Sequence, residues 1–288
     1  MGCAVCEDTG WKAIEQDGVR RMMRCDCWRE EIVRRRLADA RIPKRYQHCD
    51  LSNFVTYPNE MLVRAVAGVK KFIDAFPVVD KGLLLIGPPG IGKSHLAVSA
   101  LKQAIVGSGA RGLFYDVREL LKLIRSTYNP VVKTAEMEVL RPVLEADLLA
   151  LDDLGAEKTS EWVEETLNLV VNTRYNERRP TIFTSNYEEK EQTGEGDSLL
   201  ERVGYRIHSR LFEMCDFYDF DGCDYRSPNR PTNATGEDLL KLWQLQRMKK
   251  GHHVTLPPRA RGSARAQLRD GDGKADLKWP GGRAGSQG

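Results

Sequence analysis

Apolar residues along the middle of the chain form two patterns in turn. Short continuous runs are typical of buried strands, and repeats at helical spacing are typical of helices. The run Leu83–Ile86 is short and wholly apolar, which predicts a buried strand. Residues 60–76 instead repeat apolar side chains at helical spacing, at Leu62, Val63, Val66, Val69, Phe72 and Ile73. Strands that alternate with helices predict an α/β fold with a mainly parallel sheet covered on both faces.

The same reading along the chain gives a series of predicted elements. Strands are predicted at 83–86, 112–117, 147–151, 180–186 and 217–220, and helices at 29–41, 60–76, 94–105, 117–128, 134–144, 161–176, 199–213 and 237–250. Ligands of such sheets bind beyond the carboxyl ends of the strands. After Gly251 the sequence is rich in Gly, Arg, Pro and Ser without a period, which predicts a disordered tail.

Composition and charge narrow the possible classes of protein. The chain has 288 residues, of which 41% are hydrophobic and 30% charged, as in ordinary soluble proteins. No apolar run approaches the roughly 20 residues of a membrane helix, so we expect a cytoplasmic protein without membrane contact. The net charge of +3 divides into +7 for residues 247–288 and −4 for the remainder. The basic tail is either a solvated end or a contact for nucleic acid or an acidic partner.

Four of the seven cysteines crowd the first 27 residues, as two close pairs around a segment that can form a hairpin. In a reducing compartment such clustering favours a metal over disulfides. Four thiolates complete a tetrahedral zinc site, and the metal would supply folding energy that so short a module lacks. An iron–sulfur cluster and free thiols are the alternatives. The predicted zinc ligands are Cys3, Cys6, Cys25 and Cys27.

A glycine-rich motif, G-x-x-x-x-G-K-[ST], connects the predicted strand 83–86 to the helix that follows. In this context the backbone N–H groups of the loop and the helix N-terminus can surround phosphates. Lys93 would reach the β- and γ-phosphates, and Ser94 would bind Mg²⁺. The predicted nucleotide-binding residues are Gly87, Pro88, Pro89, Gly90, Ile91, Gly92, Lys93 and Ser94.

Polar side chains follow the next strands. Asp152 and Asp153 come directly after a buried apolar run, so Asp152 would bind Mg²⁺ and Asp153 would orient and deprotonate the attacking water. Glu157 is an alternative base. Asn186 ends the strand 180–186, where its amide could contact both the γ-phosphate and the water.

Arginines provide the remaining candidates for catalysis. Arg206 and Arg210 are four residues apart and so lie on one face of the predicted helix 199–213. Either could stabilise transition-state charge in a neighbouring subunit. Arg226 is a further candidate.

With these pieces in order, the chain resembles the AAA+ ATPases of the bacterial helicase-loader group, the DnaC/IstB-like family, from about Ile42 to Arg226. The resemblance depends on residues 41–46, 87–94, 151–157, 174–175, 184–186, 209–211 and 222–226. It implies an AAA+ P-loop three-layer core. Members of this group bind ATP with Mg²⁺, contact a replicative DnaB-type helicase and bind single-stranded DNA.

The resemblance also implies roles for single residues. Residues 87–94 would be Walker A, and Asp152 and Asp153 Walker B. Asn186 would be sensor 1, Arg226 the sensor-2 arginine, and Arg210 an arginine finger, which requires a homo-oligomer. Many AAA+ enzymes have Glu where this chain has Asp153, and the shorter side chain of Asp implies slow ATP turnover. Phage-type and Gram-positive-type loaders carry a similar N-terminal zinc module.

We therefore predict an ATPase that loads a replicative helicase onto single-stranded DNA. The predicted domains are a zinc module (1–28), a basic helix and linker (29–59), the AAA+ domain (60–228), a C-terminal helix (229–250) and a disordered basic tail (251–288). Alternatives are an IstB-type transposition helper, which shares the ATPase core, and a non-hydrolysing ATP-switched adaptor. The acidic pair and the paired arginines argue against a small-molecule kinase.

Overall fold

The fold is described from a computed structural model of the chain. The described residues are 3–7, 9, 11–16, 19–127, 136–157, 160–188, 198–227 and 234–251. Met1–Arg247 forms one compact unit, and only residues 248–251 are described in the second unit, Met248–Gly288. Of the predicted disordered tail, 251–288, only Gly251 is described, as the last residue of a helix, and residues 252–288 lie outside the described residues. None of the described helices combines the length and apolar character needed to cross a bilayer.

The N-terminal module is a hairpin followed by a helix. Strands β1 (Trp11–Gln16) and β2 (Val19–Arg24) pair antiparallel, which is the hairpin predicted between the cysteine pairs. Helix α1 (Asp26–Asp39) follows directly. It begins and ends earlier than the predicted 29–41, so Cys27 lies in its first turn. Two 3₁₀ turns (Lys44–Tyr46 and Leu51–Asn53) then lead towards the core.

A five-stranded sheet forms the centre of the core. Its strands are β3 (Gly82–Ile86), β4 (Gly112–Asp116), β5 (Leu148–Asp152), β6 (Thr181–Ser185) and β7 (Cys215–Asp219). All neighbouring pairs are parallel, in the order β4-β5-β6-β3-β7. The carboxyl ends of β3, β5 and β6 therefore meet at one edge. The sheet confirms the predicted α/β class.

Helices cover both faces of the sheet. They are α2 (Glu60–Ala75), α3 (Lys93–Ser108), α4 (Val117–Ser126), α5 (Glu136–Glu145), α6 (Glu161–Asn176), α7 (Leu199–Val203), α8 (Tyr205–Met214) and α9 (Gly236–Gly251). Leu83 and Leu85 of β3 face the layer of α2 and α3, whereas Leu84 and Ile86 face the layer of α4 to α8. Successive residues of a strand point to opposite faces of the sheet, so the single apolar run of β3 packs in two hydrophobic cores. The domain therefore has three layers, with the sheet between two layers of helices.

Two further features of the helices were not predicted from the sequence. The predicted helix 199–213 is two helices, because Gly204 between them has φ 79° and ψ 156°, outside the helical region. Val63, one of the apolar residues at helical spacing in α2, is 50% exposed. Ala65 and Gly68 lie on the buried face instead, and a Cβ on Gly68 would be only 2.1 Å from Cζ of Tyr218. Only small residues fit at these closely packed positions, and the spacing of hydrophobic residues does not reveal this requirement.

A buried arginine joins α5, α6 and β6. The guanidinium of Arg174, which is 1% exposed, donates from Nε to Thr181 Oγ1 at 2.8 Å and from Nη2 to Pro180 O at 2.7 Å. Its Nη1 donates to three carbonyl oxygens at the end of α5, those of Val143, Leu144 and Ala146. Burial lowers its pKa to about 9. The helix end would otherwise leave these carbonyl groups unpaired.

Replacing Arg174 with Met should lower the free energy of unfolding by at least about 3 kcal/mol, because several buried acceptors lose their donor. Urea denaturation would measure this as a lower midpoint. Arg141→Met on α5 is the matched control, because the Arg141 side chain is 69% exposed and forms a surface ion pair with Glu145 at 3.8 Å. Its change should stay within about 0.5 kcal/mol. Equal midpoints for the two variants would contradict the structural role of Arg174.

Candidate nucleotide-binding site

The loop between β3 and α3 curls in backbone conformations that favour glycine. Gly90 has a φ of 88° and Gly92 a φ of 99°. A Cβ on Gly90 would be 1.9 Å from Asp224 Oδ1, and one on Gly92 would be 2.5 Å from Phe54 Cε2. Both positions therefore require glycine for conformation and for space. The loop places backbone amides and the N-terminus of α3 at one point, a cradle that fits the phosphates of a nucleotide.

Lys93, the first residue of α3, is almost fully buried beside this loop. Its Nζ donates to Gly87 O at 2.6 Å, to Pro88 O at 2.8 Å and to Asn186 Oδ1 at 2.7 Å. Burial lowers the pKa of Lys93 to about 8, although Asp153 and Asp152 nearby act in the opposite direction. The predicted phosphate-binding lysine and the amide at the end of β6 are thus in direct contact.

Asp152 ends β5 and is 4% exposed. Thr184 Oγ1 donates to its Oδ1 at 2.6 Å, and the hydroxyl of Ser94 also hydrogen bonds to its side chain. Burial raises the pKa of Asp152, and the two hydroxyl groups partly offset this effect. The predicted pair of Mg²⁺ ligands, Ser94 and Asp152, therefore meets at one place with oxygen atoms, the donor type that Mg²⁺ prefers.

Asp153 follows in a left-handed conformation, with a φ of 60°. Its backbone N–H donates to Thr184 Oγ1 at 3.0 Å, and its Oδ1 accepts from Asn186 Nδ2 at 2.8 Å. Asn186 therefore bridges Lys93 and Asp153. Sequence reasoning identified the amide but missed Thr184, whose hydroxyl contacts both acidic residues. Its position two residues before the predicted Asn186, on the same strand end, was the available signal.

The segment after β7 closes over the phosphate loop. Tyr225 N–H donates to Gly90 O at 3.0 Å, and Arg226 N–H donates to Asp224 Oδ1 at 2.8 Å. Arg226 lines the cavity, and its positive charge contributes to the low pKa of Lys93. The structure thus brings Arg226 to the predicted site.

A cavity of about 660 Å³ opens in front of these groups. Besides the predicted residues it is lined by two acidic side chains, Asp116 and Glu119, and by several ring-bearing ones, Tyr46, His48, Phe54, His95 and Tyr225. Sequence reasoning missed these. Asp116 ends β4 just as Asp152 ends β5, so Asp116 could have been predicted because ligands bind beyond the carboxyl ends of parallel strands. The ring-bearing residues come from distant segments, and no sequence pattern indicated that they line the cavity.

Arg210 lies elsewhere on the same chain. Among the described residues that line the cavity, neither Arg210 nor the alternative base Glu157 occurs. Arg210 Nη1 donates to Arg206 O at 2.9 Å, and its Cζ is 5.9 Å from the ring centroid of Tyr175. The structure therefore does not bring Arg210 to the site of its own subunit.

The four N-terminal cysteines meet at one point. One sulfur from each of Cys3, Cys6, Cys25 and Cys27 lies within 4.8 Å of the others. The Cys3 and Cys25 sulfurs are 3.8 Å apart and those of Cys6 and Cys27 3.3 Å, near the roughly 3.8 Å of a tetrahedral zinc–thiolate site. Backbone N–H groups of Cys6 and Val5 lower the pKa of Cys3 to about 7. The donor set fits zinc.

Comparison with known proteins places this geometry in a family. Residues 26–232 match the family described as IstB-like ATP binding protein. The replicative helicase loader DnaC of Escherichia coli (strain K12) is 24% identical over 183 residues, 63% of this chain and 71% of that protein. The replicative helicase loader DnaI of Bacillus subtilis (strain 168) is 30% identical over 139 residues, 43% of each protein.

Solved structures agree on the fold. A crystal structure of the DnaC helicase loader is 32% identical, with a TM-score of 0.55, and covers 62% of this chain and 100% of that one. The parallel sheet and the glycine cradle define a P-loop protein of AAA+ architecture. Because the family match spans more than half of the sequence, this chain belongs to the IstB-like ATP-binding proteins. The predicted resemblance is confirmed.

The low pKa of Lys93 should make nucleotide affinity depend on pH. An ammonium group with a pKa of about 8 loses its proton between pH 7 and 9. The neutral amine that remains attracts phosphate less strongly. We expect the affinity for a fluorescent ATP analogue to fall by about tenfold over this interval. Lys93→Arg is the matched variant, because its guanidinium stays charged, and its affinity should change less than about twofold. Equal pH profiles would exclude Lys93 as the titrating group.

Proposed function

We propose that this protein is an ATP-dependent loader of a DnaB-type replicative helicase onto single-stranded DNA. The observation that carries the proposal is the similarity to the relatives named above as replicative helicase loaders. The family match over residues 26–232 encloses every residue of the cavity lining, from Pro43 to Arg226, and supports ATP binding there.

Lys93 and the amides of the loop would bind the β- and γ-phosphates. The ammonium of Lys93 is surrounded by Gly87 O, Pro88 O and Asn186 Oδ1, all of which accept hydrogen bonds from it. Phosphate oxygens would compete with these three acceptors for the N–H groups of Lys93. A γ-phosphate that draws Nζ away from Asn186 frees the amide oxygen, so the end of β6 can distinguish ATP from ADP.

Ser94 and Asp152 would hold Mg²⁺ with their adjacent oxygens. Bound Mg²⁺ would neutralise charge on the phosphate oxygens. Asp153 would accept a proton from the attacking water, and Asn186, which already donates to Asp153 Oδ1 at 2.8 Å, would hold this carboxylate in place. The short side chain of Asp153 favours slow turnover. Slow turnover suits a protein that uses ATP binding as a switch.

Two arginines would act from different subunits. Arg226 lies in the cavity of its own chain and would contact the phosphates there. Arg210 lies outside that cavity, so we assign it to the site of a neighbouring subunit in a homo-oligomer. Its guanidinium would stabilise negative charge in the transition state.

The four cysteines would hold one zinc ion that stabilises the N-terminal hairpin. The site is closed by four protein ligands, so its role is structural. The contact with single-stranded DNA would use lysines and arginines on phosphates, and its affinity should fall with salt. Base-specific contacts are not part of the proposal.

Helicase loading on single-stranded DNA tests the proposed function directly. With ATP, the protein should co-purify with the cognate DnaB-type helicase and increase the helicase bound to a single-stranded circle at least about tenfold. Lys93→Ala should abolish the increase, because the phosphates lose their cation. Lys122→Ala, at an exposed lysine of α4, is the matched control and should load normally.

Two outcomes would favour the alternatives. Binding of helicase and ATP without hydrolysis, unchanged in Asp153→Ala, would identify an adaptor. ATP hydrolysis without helicase binding, together with stimulation of a transposase on DNA, would identify a transposition helper. Absence of ATP binding would exclude all three.

Subunit mixing tests the assignment of Arg210. Arg210→Ala alone should lower ATP turnover roughly 10³-fold and change ATP affinity less than about threefold. Lys93→Ala is inactive for a different reason, so a mixture of the two variants should recover turnover at interfaces where intact Lys93 meets intact Arg210. Arg206→Ala, one turn earlier, should retain turnover. A mixture that stays inactive, or equal turnover in Arg210→Ala and wild type, would contradict a shared site.

A further inference from the structure

A second cluster of metal-binding side chains lies at the rim of the cavity. His48, Cys49 and His95 each place one ligand atom within 4.8 Å of the others. We propose that these three residues bind a divalent transition metal of the zinc class, at a site separate from the four N-terminal cysteines. The inference does not depend on the proposed helicase loading.

The two segments that carry the ligands are fixed to each other. His95 is in the first turn of α3, and Lys102 of the same helix donates to Gln47 O at 2.9 Å and to Cys49 O at 2.7 Å. Gln103 Nε2 also donates to Asp50 Oδ2 at 3.2 Å. The loop that bears His48 and Cys49 is thus held against α3 on both sides of Cys49. Ligands that are already in place lose little conformational entropy when they bind a metal.

The hydrogen bond of His95 favours the form that a metal requires. Its Nε2 is 2.9 Å from Asp50 O, and a carbonyl oxygen can only accept, so the proton is on Nε2. The other nitrogen of the neutral ring keeps its lone pair. Metal-binding histidines usually donate their second ring N–H to a carbonyl or carboxylate in this way.

Donor type and spacing indicate which metal fits. Two imidazoles and a thiolate suit zinc and related ions, whereas Mg²⁺ prefers oxygen. His48 Nε2 is 4.0 Å from Cys49 Sγ, and a tetrahedral zinc site needs about 3.5 Å. His48 is exposed, so rotation of its side chain can close this difference. Burial raises the pKa of the Cys49 thiol, and the positive charge of Lys102 offsets part of this effect.

All three residues line the same cavity as Lys93. Three protein ligands leave the fourth tetrahedral position open, as in zinc sites that also bind water or a substrate group. A metal here would tie the segment before α2 to the first turn of α3, next to the phosphate loop. We expect metal binding to slow exchange of backbone amides in residues 47–50 and 93–96.

Metal stoichiometry tests the site. Full-length protein is loaded with Zn²⁺ under reducing conditions, passed over a weak chelating resin and analysed by mass spectrometry for zinc per chain. His48→Ala should contain one zinc fewer than wild type. Gln47→Ala is the matched control, because Gln47 is exposed, adjacent and outside the cluster, and it should match wild type. Equal zinc in wild type and His48→Ala would overturn the proposal.

Cobalt spectra identify the ligands independently of the N-terminal module. In a background with Cys3, Cys6, Cys25 and Cys27 all replaced by Ser, Co²⁺ should give a tetrahedral spectrum with the charge-transfer intensity of a single thiolate. In that background Cys49→Ser should remove the charge-transfer band, and His48→Ala should remove the tetrahedral bands. Thermal melting checks that each variant remains folded, and His48→Ala keeps the test valid if Cys49→Ser unfolds the chain, because His48 is exposed. An octahedral cobalt spectrum in the folded background variant would contradict the site.

Discussion

The buried ammonium group of Lys93 holds three strand ends in position. It contacts the loop after β3 and the amide of Asn186 after β6, and Asn186 in turn contacts Asp153 after β5. A charged group in such a place costs several kcal/mol in lost hydration unless polar atoms surround it. The acceptors are therefore required as long as the lysine is charged.

The sheet could be predicted because parallel strands buried on both faces appear as continuous apolar runs. The order of the strands could not, since β7, the last along the chain, lies beside β3, the first of this sheet, through contacts between distant segments. The break at Gly204 was also hidden, because the apolar period continues across it and glycine occurs in helices as well. Helical spacing also does not separate buried from exposed apolar residues, since Val63 fits the apolar repeat of α2 although its side chain is half exposed.

Within the candidate site, spacing and strand ends led to Lys93, Asp152 and Asn186, because a motif and a parallel sheet both place side chains at a known edge. The rings that line the cavity come from residues 46–54 and from His95, Phe114 and Tyr225, and only tertiary packing brings them together. His48 and Cys49 lie in a segment that sequence reasoning treated as a linker. Their chemistry became visible only when α3 placed His95 beside them.

Helix α3 bears the phosphate loop at one end and the N-terminal module near the other. Arg29 Nη2 donates to Gly107 O at 2.7 Å, and Arg36 Nη1 donates to Gly109 O, both at the C-terminal end of α3. The 16 residues of this helix span about 24 Å. A tilt of about 10° at the phosphate end would move the opposite end by about 4 Å. Such a tilt would also displace α1, the helix that follows the cysteine-bearing hairpin, because Arg29 and Arg36 bind it to that end of α3.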